Sequence, residues 1–359
     1  MSATHTPPTG RLETQLSNRQ NQFNLVRLIL AFMVCIDHSG LITSGIEALI
    51  TPLNLFDLSS GTLAVNGFFV LSGILIARSL AERGVSLSYF MSRLLRLYPA
   101  LIALVLLAVV VIGPLVSTGP YWTGSNTFNY AIEVLHFGQT KGGPNGFYPN
   151  NPIPYEFSPP LWTLRYEFLC YMAAPLFVLL GLQNRERLVL ALIGMLGCIL
   201  VIAPFTNNNV FDVPAVSAIL RFSFCFGLGM LIWTGRRFVD GQLSWVAITS
   251  VLFLISGLSG IGVDVTATLW ITAVILYFGL RLPTRHILKT DLSYGLYIWH
   301  YPIMQILLGE FGIVSWQMLL ATTMPIVLCV AWISWTYIEH PALRLKRYVD
   351  HKQPQANSV

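Results

Sequence analysis

Arg27 and His38 lie eleven positions apart in one apolar stretch, Asn24-Leu-Val-Arg-Leu-Ile-Leu-Ala-Phe-Met-Val-Cys-Ile-Asp-His38. At about 100° per residue, eleven steps close roughly three turns, so on a helix both side chains leave the same face, about 16 Å apart along the axis. A cation and an imidazole inside a lipid-embedded helix cost several kcal/mol unless they are partnered or line a wet cavity. The pattern therefore asks for a positive charge near one membrane surface and a proton-handling group deeper in. Arg93 and Arg96, three apart in Met91-Ser-Arg-Leu-Leu-Arg-Leu-Tyr-Pro99, share a helix face. Two guanidiniums on one face suit a phosphate, because each can donate two parallel hydrogen bonds. The plainer alternative is a basic flank touching lipid headgroups. Further ionisable groups fall within apolar runs: Glu167 and Arg165 in Leu161-Trp-Thr-Leu-Arg-Tyr-Glu167, His300 in Ser293-Tyr-Gly-Leu-Tyr-Ile-Trp-His300, and Asp37 and Arg221. Arg165 and Glu167 are equally read as charge neutralisation inside a bundle, and His300 as a packed residue bonding a carbonyl near Pro302. Asp37 points about 100° away from His38 and is not an obvious orienting partner.

The elements that hold these groups follow from composition. Of 359 residues, 54% are hydrophobic and only 10% charged, and the mean hydropathy is +0.65. Soluble domains average about 25% charged residues, so the chain is expected to be an all-α polytopic membrane protein. Apolar runs near the roughly 20 residues a spanning helix needs predict a bundle of about ten transmembrane helices: 24–43, 62–81, 97–116, 160–180, 188–205, 214–234, 244–261, 266–282, 291–309 and 315–338. With the amino terminus placed in the cytoplasm, sixteen lysines and arginines fall on the cytoplasmic side and only Lys141 outside, which puts both termini inside by the positive-inside rule. The net charge of +5 then reflects topology, and no basic stripe interleaved with aromatics points to nucleic acid. The first apolar run has no small-residue cleavage site and is expected to stay as an anchor. The five cysteines fall in the spans without ligand spacing and read as packing residues; no metal site is indicated.

Residues 1–22 are expected to form a cytoplasmic tail, 23–347 one membrane domain and 348–359 a second tail. The one long interruption, about 117–159, is rich in Gly, Pro, Asn and Tyr, and a connection this long usually has a role. The topology places it outside, where Tyr121, Trp122, Tyr148, Tyr155 and Trp162 suit stacking on sugar rings or an interfacial aromatic belt. Depths are compatible with one site. His38 lies about 20 Å along the first span, Glu167 about 10 Å below the outer surface, and His300 near mid-membrane. Gly67-Phe-Phe-Val-Leu-Ser72-Gly73 places small residues where helices approach closely, with Gly67 and Ser72 also candidates to line a narrow ligand path.

Taken in order, these segments resemble the membrane-bound acyltransferase 3 family. Arg27 and His38 match its Arg/Lys-x10-His pattern, Gly67–Gly73 its second-span signature, and Arg93-Leu-Leu-Arg96 its Arg-x-x-Arg segment. Leu161–Glu167, Ser293–His300 and Ile338-Glu-His-Pro341 match its later motifs. Arg165 and His340 depart from the residues common in relatives. The resemblance implies an O-acyltransferase of the bacterial inner membrane that moves an acyl group, usually acetyl, from cytoplasmic acyl-CoA to a hydroxyl of an envelope or exopolysaccharide glycan or a lipid-linked sugar. It implies that His38 is essential, with Arg27 in the same motif. The chemistry suits the layout: Arg93 and Arg96 on the side where anionic CoA resides, and His38 as general base on the acceptor hydroxyl, with Glu167 or His300 orienting His38 or, with Arg165, Asp37 and Trp162, binding the acceptor. An acyl-histidine is a second route. The competing class is a transporter or flippase of a lipid-linked sugar, for which the repeats common in transporters are missing from this sequence.

Overall fold

The computed structural model describes residues 11–17, 21–48, 52–118, 121–122, 125–138, 141–206, 210–282, 288 and 290–345. The expected tail at 348–359, residues 1–10 and 18–20, and Arg19, Arg285, Lys289, Lys346, Arg347 and Lys352 of the basic set lie outside these residues. Each of the ten expected spans coincides with a helix. They are α2 (Phe23–Ala48), α3 (Ser60–Arg83), α4 (Leu87–Leu107) running on through a π-turn into α5 (Gly113–Val116), α7 (Leu164–Leu179), α8 (Glu186–Ile202), α9 (Pro214–Thr234), α10 (Leu243–Ser259), α11 (Val263–Arg281), α12 (Ser293–Phe311) and α13 (Trp316–Ser334). Shorter helices are α1 (Arg11–Ser17), α6 (Asn126–Leu135) and α14 (His340–Arg344). Among the described residues, seven segments are long and apolar enough to cross a membrane, namely α2, α3, the α4–α5 run, α8, α9, α11 and the run from α13 through α14. The other three fall short for visible reasons. Helices α7 and α10 have 16 and 17 residues, about 24–26 Å against a hydrocarbon core of about 30 Å. Helix α12 is long enough, but carries Tyr294, Tyr297, His300, Tyr301 and Gln305, all buried.

By its contacts the chain divides into two units, one within Met1–Leu30, Asn54–Glu82 and Ala173–Lys289, the other within Ala31–Leu53, Arg83–Met172 and Thr290–Val359. In the first unit, part of the expected tail is a docked helix. Leu12 and Leu16 of α1 are buried, the Leu12 amide donates to the Val239 carbonyl at 3.0 Å, and Gln15 donates to Leu280 O at 2.7 Å. Glu13 lies 3.3 Å from the Arg236 guanidinium. The close approach expected at Gly73 is present: a Cβ there would run into the Phe226 carbonyl of α9, and one on Gly229 into the Val70 carbonyl of α3. A two-residue hairpin pairs β1 (Asn54–Leu55) with β2 (Leu58–Ser59), Asn54 opposite Ser59. Its turn residues Phe56 and Asp57 are both left-handed, as a tight type I′ turn requires. Arg221, a cation within a span, is satisfied inside this unit: it donates to Asn66 Oδ1 at 2.7 Å and to Thr62 O at 3.0 Å, and Asn66 in turn donates to Thr268 at 2.9 Å.

In the second unit α12 is the central helix, packed on α13 and α4 and buried along most of its length. The Gly/Pro-rich connection 117–159 is folded among its described residues. It contains α6 and a β-bridge between Ser117 and Phe147, and Phe147 and Phe157 are fully buried. Among the bonds that tie it to α12 are Tyr148 OH to Glu310 Oε1 at 2.6 Å and a set made by one amide. Gln305 Nε2 donates to the carbonyls of Ile153 at 2.9 Å and Glu156 at 3.1 Å, and Gln305 Oε1 accepts from Asn151 Nδ2 at 2.7 Å. Gln305→Leu takes this donor from the Ile153 and Glu156 carbonyls, while Asn151 Nδ2 keeps the Gln305 backbone carbonyl at 3.0 Å; each buried group that loses its bond costs about 1–3 kcal/mol. The expected result is a lower midpoint of thermal unfolding in detergent and faster proteolysis within 141–157. An unchanged digestion pattern would show that the amide does not hold the connection.

Candidate active site

The two deep histidines meet. His38, half-buried on α2, places Nδ1 2.7 Å from Nε2 of His300, which is fully buried on α12. The ring planes differ by 9° with centroids 5.0 Å apart. The rings are therefore edge to edge, so the N–H of one points along the lone pair of the other. The second nitrogen of His300 fixes the direction. Its Nδ1 lies 3.1 Å from the Leu296 carbonyl, and a carbonyl only accepts. His300 Nδ1 thus carries the hydrogen, and in the neutral ring its Nε2 is the acceptor. His38 must then donate from Nδ1, which leaves Nε2 of His38 with a free lone pair. The Tyr301 ring meets His38 edge-on, centroids 5.5 Å apart.

Helix α12 holds His300 through its tyrosines. Tyr294 OH donates to Leu97 O on α4 at 2.7 Å, and Tyr297 OH donates to Pro160 O at 2.6 Å, with Thr163 Oγ1 2.7 Å away. Tyr294, Tyr297 and Tyr301 follow helical spacing with His300, so the same periodicity that buries this face also sets the imidazole.

The two arginines of α4 are not equivalent. Arg96 donates to Asp291 Oδ2 at 2.6 Å and lies 4.0 Å from Glu339 Oε2, with its guanidinium over the Tyr294 ring at 5.6 Å. Both carboxylates have a further donor: Ser293 Oγ to Asp291 at 2.5 Å and Ser334 Oγ to Glu339 at 3.0 Å. Arg93 instead lies between two aromatic rings, 5.9 Å from the Tyr89 centroid and 5.7 Å from that of Tyr171, and no carboxylate bridges it among the described residues. Glu167 joins this group: it accepts a short hydrogen bond from Tyr171 OH, one helical turn on. Of the two residues expected near His38, His300 is the one in hydrogen-bond contact with it, and Glu167 contacts Tyr171.

Arg165 donates to the Gly138 carbonyl and covers the Tyr166 ring at 5.9 Å. Trp162 is 41% exposed and meets Tyr166 edge-on. Asp37 is half-buried, one residue before His38. Arg27, Gly67 and Ser72 belong to the first unit. A Cβ on Gly67 would meet methyls of Leu30 and Ile275 at 3.1 and 2.9 Å, so its missing side chain serves helix packing. Asp291 and Glu339 went unassigned in the sequence reading. Their signal was two acids at the ends of apolar runs, on the side where the basic residues gather.

A profile of the acyltransferase-domain family matches residues 20–337, and the chain belongs to that family. Among its relatives is nodulation protein 10 of Rhizobium leguminosarum bv. viciae, 27% identical over 358 residues, covering 92% of this chain and 95% of that protein. Another is an O-acetyl transferase of Shigella phage Sf6, 25% identical over 348 residues, covering 94% of this chain and 98% of that protein. No solved structure matches the chain.

Proposed function

We propose that the chain is a membrane O-acyltransferase that moves an acyl group, acetyl being the simplest, from acyl-CoA to a hydroxyl of an envelope glycan, with His38 as general base. The observation that carries the reading is the His38–His300 contact, whose hydrogen-bond directions leave Nε2 of His38 able to take a proton. The family and the name of the phage relative support acyl transfer. Nε2 removes the acceptor hydroxyl proton as the oxygen attacks the thioester carbon. The tetrahedral adduct collapses with loss of the C–S bond, and the CoA sulfur takes the proton back from Nε2. Proton transfer of this kind contributes about 10²–10⁴-fold. His300 is a positioning residue: it fixes the ring and favours the imidazolium through its lone pair.

On the donor side Arg93 is the guanidinium offered to the CoA phosphates, and Arg27 belongs to the same functional motif as His38. Arg96 acts through its ion pairs, which hold α4 to the carboxylates, and Glu167 steadies Tyr171 beneath Arg93. Ser72 is retained as a path residue. Arg165, Asp37 and Trp162 belong to the acceptor side. The topology that goes with this reading has ten spans, both ends cytoplasmic, in a bacterial inner membrane.

The test is transfer of radiolabelled acetyl from acetyl-CoA by the purified full chain in lipid nanodiscs to envelope polysaccharide, with mass spectrometry of the product glycan. A mass gain of one acetyl per modified sugar is expected. Movement of a lipid-linked sugar across the bilayer with no acyl product would contradict the reading. Loss of a charge-assisted hydrogen bond costs about 1.5–3 kcal/mol, so Arg93→Ala is expected to raise the KM for acetyl-CoA by roughly 10-fold or more. An unchanged donor KM would return Arg93 to a headgroup role.

A further inference from the structure

A second candidate site lies on the 117–159 connection, apart from the histidine pair in the chain. A cavity of about 370 Å³ opens there, within the roughly 300–1,000 Å³ typical of small-molecule sites. One wall is a face of α6, on which Asn126, Asn129, Tyr130 and Glu133 recur at helical spacing; the opposite wall is Lys141, the backbone of 142–146 and Tyr155. The walls are built rather than draped. The Phe157 amide donates to Gly142 O at 3.0 Å and Asn145 N to Thr127 Oγ1 at 3.0 Å. Tyr130 OH and Ser158 Oγ bond at 2.7 Å beneath the floor. Gly142 and Gly146 take φ of 94° and 70°, which a side chain would resist. A Cβ on Gly143 would come within 2.9 Å of Phe157 Cβ and the Tyr155 carbonyl. Tyr155 itself is left-handed, φ 62°, and 52% exposed. Left-handed backbone at a bulky residue costs about 1–3 kcal/mol and persists only where its surroundings fix it.

The chemistry of the lining selects a ligand class. Two carboxamides offer donors and acceptors side by side, Glu133 accepts, Lys141 donates, and the two charges cancel. Vicinal hydroxyls, each both donor and acceptor, match such a set, and an exposed rigid tyrosine presents an apolar face to the C–H side of a sugar ring. A phosphate would meet one ammonium offset by a carboxylate. An apolar chain would leave the amides unpaired. We propose that this cavity is a neutral-glycan subsite that holds the acceptor polysaccharide through Asn126, Asn129, Glu133, Lys141 and Tyr155. It rests on the glycan-acceptor reading above and adds where the glycan is held.

The experiment is direct binding, without donor, of de-O-acylated envelope polysaccharide from the source cells to the full chain in nanodiscs, read by biolayer interferometry. Because no acyl transfer is involved, the outcome is separate from whether the chain is an acyltransferase. The expected results are binding by the native chain, at least a tenfold rise in Kd for Asn129→Ala and for Tyr155→Ala, and restoration by Tyr155→Phe, which keeps the ring. Asn129 and Tyr155 are exposed, and the thermal unfolding midpoint of each variant is measured alongside. For any variant that unfolds early, Asn126→Ala replaces it. No binding by the native chain, equal Kd in native and variant chains, or displacement by inorganic phosphate at concentrations where free monosaccharide has no effect would overturn the proposal.

Discussion

Replacing His38 with alanine is expected to cut acyl transfer by about 10²–10⁴-fold, the span attributed to a positioned general base, while the protein still inserts and runs as a single species. The side chain is half-buried and its hydrogen bond among the described residues is to His300, so its loss removes chemistry with little of the fold. His300 gives the companion result. His300→Phe keeps a ring of similar shape and removes the lone pair that accepts from His38 Nδ1. The fall in kcat should be smaller than for His38→Ala, with the donor KM little moved. His300→Gln, whose carbonyl oxygen can accept from Nδ1, should recover part of it. A merely structural role for His300 predicts no such recovery. Near-normal turnover by His38→Ala in labelled-acetyl transfer would remove the imidazole from the mechanism.

Arg96→Ala is expected to have the largest effect on stability. The Asp291 and Glu339 side chains are only 11% and 3% exposed, and the variant takes away the guanidinium that both of them face. Breaking a buried pair in this way costs about 3–5 kcal/mol, a large share of the roughly 5–15 kcal/mol that holds a domain together. Thermal unfolding in detergent should show a marked loss for Arg96→Ala. Arg96→Ala combined with Glu339→Gln should restore part of it, because one of the two buried charges facing the lost guanidinium is then neutral. Arg93→Ala, which breaks no carboxylate pair among the described residues, should change stability much less. Equal losses from the two alanine variants would contradict the division of labour between the arginines.

What could be read from the sequence was what is local. Apolar runs place all ten long helices, because length and hydropathy are properties of a segment. The same-face placement of Arg27 and His38 follows from helical periodicity alone. What could not be read was pairing across the chain. Arg93 and Arg96 look alike in sequence; only the arrival of Asp291 and Glu339, 195 and 243 positions further on, makes one a structural ion and leaves the other between two tyrosines. His300 had two open readings, a carbonyl partner or a role at the site. Its two nitrogens satisfy both, one on Leu296 and one on His38. The 117–159 connection carries turn residues and no strong period, and part of what holds it, the amide of Gln305, sits in a different helix. Helix α1 was hidden for a similar reason: two leucines in a polar segment bury only once Val239 and Leu280 are beside them.

The central claim is that Nδ1 of His38 carries the proton and Nε2 is bare. Nitrogen-15 NMR of histidine-labelled protein, with His38 identified by subtracting the spectrum of His38→Ala, reads this directly at neutral pH. The account predicts a protonated-type shift at Nδ1 of His38, an unprotonated one at Nε2, and the same tautomer for His300. A His38 ring protonated at Nε2, with its lone pair turned toward His300, would contradict it.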